Sequence, residues 1–149
     1  MKRHHALAHL SRDHHAALIL ARLLQINAPA YKGLPSDLAG KAAYAVKFYK
    51  EELVTHFKIE EEALSLAMDI DENLDALIQV ILHEHRELDK LFESISINAV
   101  QPLQLDSLGR FLESHIRKEE RQLFPLMQEA CSEELLETIN NSLSYHYIK

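Results

Sequence analysis

The chain has 149 residues, about one domain on a prior of roughly 100–200 residues each, and it reads as a single unit over 1–149. Three Gly and four Pro are too few turn-forming residues for a sandwich of many short strands, and 47% hydrophobic against 26% charged residues excludes a disordered chain. The formal charge is -7, with bases interleaved among acids as in Arg117-Lys118-Glu119-Glu120-Arg121, which argues against a nucleic-acid partner.

Apolar residues recur at helical spacing from about Ala6 to Ile26, where Asn27-Ala28-Pro29 breaks the pattern; the stretch to Pro35, containing Gly33, reads as a loop. Ser36 or Asp37 is the predicted N-cap of a second helix running to about Met68. Asp69 or Asp71 opens a third, to about Ile97, before a break marked by Asn98 and Pro102. A fourth spans about Leu103 to Ala130, with Gly109 inside it and Pro125 expected to kink or end it. Ser132 is the expected cap of a short helix from Glu133 to about Tyr145. Four long helices with short connections predict an all-α, up-down-up-down antiparallel four-helix bundle with a short C-terminal fifth helix.

Cys131 is the only cysteine, which excludes an internal disulfide, thiolate metal clusters and dithiol chemistry within one chain. No run approaches the ~18 apolar residues of a membrane span, and the basic N-terminus lacks an uninterrupted apolar stretch. A cytoplasmic protein without a membrane partner is the expectation. The unusual count is ten His.

Two segments share the pattern HxxxEExxL: His56 to Leu64, containing Glu60, and His115 to Leu123, containing Glu119. Residues four apart lie one helical turn above each other, so each His/Glu pair can reach a common metal or two adjacent ones. At about 100° per residue both pairs fall on apolar faces. The first shares its face with Ala42, Ala45, Tyr49 and Ala63, the second with Leu108, Phe111, Leu112 and Leu126. A buried carboxylate without a partner costs several kcal/mol, which a metal dication offsets. On the first helix His14 is centred on the apolar stripe of Leu7, Leu10, Ala17, Leu18 and Ala21, whereas the adjacent His15 points about 100° away. On the third, His85 sits among Ile78, Ile81, Leu88 and Phe92, and His83 faces the polar side.

The predicted ligand set is therefore His14, His56, Glu60, His85, His115 and Glu119. Six nitrogen and oxygen donors without sulfur suit iron, or manganese, better than a closed four-ligand zinc site. Two metals bridged by both glutamates and an oxo or hydroxo group would each keep one open position. The order His14, His56-xxx-Glu60, His85, His115-xxx-Glu119, followed by Leu123-Phe124-Pro125, resembles the hemerythrin-like (HHE cation-binding) family. The resemblance spans residues 5 to about 130 and implies two iron ions in a carboxylate-bridged, non-haem di-iron centre, with O2 or NO as ligand.

Oxygen-carrying hemerythrins have HxxxH on the third helix and HxxxxD on the fourth, where this chain has His85-Arg-Glu-Leu-Asp89 and HxxxE. The four-His, two-Glu set is similar to the domain of iron-centre repair proteins and to iron-sensing domains of the same family. Binding or sensing of O2, NO or iron is the first reading, and a di-iron enzyme reducing O2, peroxide or NO, or acting in iron-sulfur centre repair, the alternative. A ferritin-like site is excluded because no Glu is followed by a His three residues later, and an HExxH protease site because position 87 is Glu. Glu61, Glu62 and Glu120 read as solvated, as do His4, His5, His9, His15, His83 and His146. Tyr49 reads as a core aromatic with a backbone acceptor, or else, with Glu52, as a partner behind His56.

Overall fold

The computed structural model describes residues 2–147, which contain five helices and no strand. Helix α1 is His5–Leu23, opened by His4, whose ring accepts a hydrogen bond from the Ala6 amide. Helix α2 begins at Leu38, capped by Asp37, and continues as Leu38–Phe48, a π-helical turn Tyr49–Leu53 and Val54–Leu66. Helix α3 is Glu72–Glu93, capped by Asp71. Helix α4 is Pro102–Lys118, a second π-helical turn Glu119–Leu123 and Phe124–Ala130. Helix α5 is Glu133–Tyr147, with the Ser132 hydroxyl accepting from the Leu135 amide. No helix among the described residues is long and apolar enough to cross a membrane.

The end of the third helix and the effect of Pro125, which was expected to kink or end the fourth, each have a local physical cause. Helix α3 stops at Glu93, four residues short of Ile97, where the Ser94 hydroxyl donates to the Leu91 carbonyl and competes with continued helix. Pro125 does not end α4. The π-helical turn before it carries an i→i+5 bond, from the Phe124 amide to the Glu119 carbonyl, and this wider turn accommodates a ring that would otherwise strike the preceding turn.

The buried apolar residues form two clusters, one towards each end of the bundle. One gathers Leu7, Leu10, Ile59, Ala63, Ile78, Ile81, Phe124 and Met127 with Leu136, Ile139 and Leu143 of α5. The other gathers Ala17, Leu20, Ala45, Phe57, Leu88, Phe92, Leu108 and Leu112. Each of the first four helices thus passes from one cluster to the other, and on each the predicted ligand positions fall at the crossing. The bundle has a polar layer between two oily ones.

Close approach of α1 and α4 depends on Gly109: a Cβ there would lie 2.4 Å from the Ala21 carbonyl oxygen and 3.0 Å from Leu24 Cβ. Replacing a helical Gly by Ala normally stabilises by about 1 kcal/mol, but overpacking against a rigid backbone costs about 1–3 kcal/mol. Gly109→Ala is therefore expected to lower the urea midpoint of unfolding, and an unchanged or raised midpoint contradicts this close packing.

Candidate metal centre

Among the described residues, the buried polar and charged side chains are His14, His56, Glu60, His85, His115 and Glu119, all at most 7% exposed. His14 is buried and His15 exposed, His85 buried and His83 exposed, as helical phase predicts. The six come from four helices and meet as two overlapping groups: His14, His56, Glu60 and Glu119, and Glu60, His85, His115 and Glu119. Within each group the donor atoms lie within 4.8 Å of one another.

Each carboxylate divides its oxygens between the groups. Glu60 Oε2 is 3.5 Å from His56 Nε2 and Oε1 is 3.0 Å from His85 Nε2. Glu119 Oε1 is 2.9 Å from His14 Nε2, and Oε2 is 3.4 Å from His115 Nε2. These approaches lack hydrogen-bond alignment: the four Nε2 atoms, both Glu60 oxygens and Glu119 Oε2 have no hydrogen-bond partner. A buried polar atom left unpaired costs about 1–3 kcal/mol. Seven such atoms in one place fit residues that share cations.

The opposite nitrogens of the imidazoles are all engaged. His14 Nδ1 lies 2.7 Å from Glu120 Oε2, His56 Nδ1 3.0 Å from Asp13 Oδ2, His85 Nδ1 2.7 Å from Glu61 Oε2, and His115 Nδ1 2.8 Å from Glu84 Oε1. With Nδ1–H donated to a carboxylate, Nε2 is the inward nitrogen left to give up its proton to a metal, which requires it unprotonated.

The four pairs close a ring. Asp13 on α1 holds His56 on α2, Glu61 on α2 holds His85 on α3, Glu84 on α3 holds His115 on α4, and Glu120 on α4 holds His14 on α1. Each of these acids is the sequence neighbour of an inward residue on its own helix. A residue next to a core position points about 100° away, along the seam with the adjacent helix. Glu61 and Glu120, read from sequence as solvated, thus orient the site; Glu62 stays at the surface and pairs with His146 at 2.8 Å.

Aromatic rings fix the imidazole planes further. Phe57 stacks on His85 at 4.2 Å between centroids, and Phe124 lies parallel to His14 at 5.8 Å. Tyr49 is a core aromatic, as one expectation had it, with its ring stacked on Phe92, but its hydroxyl donates to the Asp89 carboxylate at 2.8 Å instead of to a backbone acceptor, and it does not back His56. The π-helical turn lies between Tyr49 and His56, and its wider winding removes the seven-residue alignment that an unbroken α-helix gives. Exposed Glu52 makes no hydrogen bond to His56. A cavity of about 310 Å3 reaches His14, His56, His115 and Glu119, with Ala17, Leu53, Phe57, Leu112 and Ile116 as apolar wall and Arg12 and Glu52 towards solvent.

A family model described as the hemerythrin HHE cation binding domain matches residues 5–127. The chain belongs to this family. No curated protein and no solved structure matches it. The hemerythrin-domain match and the buried His/Glu cluster coincide: all six inward residues and the four carboxylates behind them lie within the matched region, whereas α5 lies beyond it.

In the metal-free domain burial by itself disfavours protonated imidazole, but the carboxylates outweigh it. Glu119 and Glu120 hold His14 up to about 10, Asp13 and Glu60 hold His56 up to about 9, and Glu119, Glu60 and Glu61 hold His85 up to about 11. The four outer acids shift the other way: burial opposes their ionisation, and the facing imidazole and further partners lower each of them. The histidines bind protons more tightly folded than unfolded, where about 6.5 applies. Their contribution is complete below about pH 6.5 and lost as pH rises through about 9 to 11. Urea unfolding of the metal-free protein should show stability declining from pH 6.5 to 9; constant or rising stability there contradicts this protonation.

Proposed function

We propose that the chain is a single hemerythrin-like domain, an up-down-up-down antiparallel bundle that binds or senses O2, NO or iron at a carboxylate-bridged di-iron centre. His14 and His56 would hold one iron, His85 and His115 the other, and Glu60 and Glu119 would be shared between the two. The observation that carries this reading is the division of each carboxylate's oxygens between the two donor groups, at 3.0 and 3.5 Å for Glu60 and 2.9 and 3.4 Å for Glu119. Sulfur-free nitrogen and oxygen donors favour iron, with manganese or zinc as competitors.

Two irons, when bound, supply electrons and open positions for a small ligand. The chain's own residues do the rest. The Nδ1-bound carboxylates hold each imidazole in one orientation, and the apolar walls of the cavity restrict access to His14, His56 and His115 to small molecules. A second reading, reduction of O2, peroxide or NO at the same centre, is favoured by the cavity size. At about 30 Å3 per water, about 310 Å3 accommodates a diatomic together with several waters able to deliver protons.

Anaerobic loading with Fe(II) is expected to give two irons per chain, and well under two overturns the reading. Metal at a hundred times its dissociation constant should raise stability by about 2.7 kcal/mol for each occupied site, and His56→Ala or Glu119→Ala should abolish most of that gain. An optical change on adding O2 or NO without turnover above free iron supports binding or sensing. Sustained reductant consumption supports the catalytic reading.

A further inference from the structure

The four carboxylates behind the histidines differ in what holds them from outside. Glu120 is held by Arg3 and Ser11, Glu61 by Arg86 and Glu84 by Lys118, so each of these three has a cation. Asp13 has instead the phenol of Tyr147, which donates its hydroxyl to Asp13 Oδ2. That oxygen is also the one facing His56 Nδ1 at 3.0 Å. The side chain of Asp13 is 40% exposed, so without the phenol it is free to turn to water.

Tyr147 is the last described residue of α5, outside the region that the family model matches. Its position follows from how α5 docks. Leu136, Ile139 and Leu143 are buried in the core cluster that includes Leu7 and Leu10, His146 pairs with Glu62 on α2, and the Tyr147 ring stacks on His9 of α1 at 4.7 Å. A helix that supplies no residue to the centre therefore touches it at one point, through Asp13.

We propose that Tyr147 is a positioning residue for His56: its hydroxyl fixes Asp13, Asp13 fixes the imidazole, and the docking of α5 thereby sets the metal affinity of the His14/His56 group. This rests on the two-metal reading above. The His85/His115 group, whose carboxylates are held by Arg86 and Lys118, does not depend on α5 in this way. The two metal positions are thus inequivalent, and the one governed by α5 adjoins the cavity with both of its histidines.

Titration of the full chain with cobalt(II), followed by visible absorption, tests this. Wild type should bind two ions; Tyr147→Phe, which keeps the ring on His9, should bind one as wild type does and the other about tenfold more weakly, at the low end for loss of a group behind a metal ligand. Asp13→Ala should weaken the same ion, and adding Tyr147→Phe to it should change nothing further, because both act through one contact. Wild-type affinity for both ions in Tyr147→Phe, equal weakening of both, or full additivity with Asp13→Ala overturns the proposal. A wild-type chain that takes up no cobalt overturns the two-metal reading instead, and the positioning is then judged without metal. There the His56 Nδ1–H resonance should be protected from water exchange in wild type and lost in Tyr147→Phe; its persistence in the variant overturns the positioning.

Discussion

Six ionisable side chains across the middle of an apolar bundle are the constraint to which the rest of the structure answers. Water cannot solvate them there, and taking even one carboxylate out of water unpaired costs several kcal/mol. The metal-free chain meets the problem with protons, holding His14, His56 and His85 charged up to about 9–11 against the carboxylates. Divalent metal would meet it with cations and release those protons, so metal binding and folding draw on the same buried charges. The two apolar clusters on either side supply the burial that makes this layer tolerable.

The carboxylate ring explains how four helices hold a common geometry. Every inward histidine is tied to a neighbouring helix, so no helix can rotate about its own axis without breaking two contacts, one that it gives and one that it receives. Three of the four acids are neutralised from outside by Arg or Lys, which keeps charge on the ring without leaving it unbalanced. The π-helical turns belong to the same design. One lets α4 pass Pro125 with Phe124 against His14, and the other turns Tyr49 towards α3 while His56 faces the centre.

The bundle was legible in the sequence because a helix repeats its faces every 3.6 residues. Ser132 was readable as a cap, Asp37 and Asp71 each as one of two candidates, and His14 and His85 as the inward members of their pairs, from local pattern alone. The ring was not. Asp13 and Glu84 next to inward histidines, and Glu61 and Glu120 next to inward glutamates, look in sequence like ordinary solvated acids, because a seam between helices has no signature until the neighbouring helix is known. Tyr147 is further removed still, separated from Asp13 by most of the chain.

What the sequence determined by itself is the set of helices, the six residues that point inward and the nitrogen-and-oxygen character of the site they make. These depend on phase and residue type along single helices. Only the tertiary structure decided which histidine shares which carboxylate, which acids turn the imidazoles, and that α5 reaches the centre. Those are relations between helices, fixed by packing distance and rotation, to which periodicity along one strand of sequence is blind.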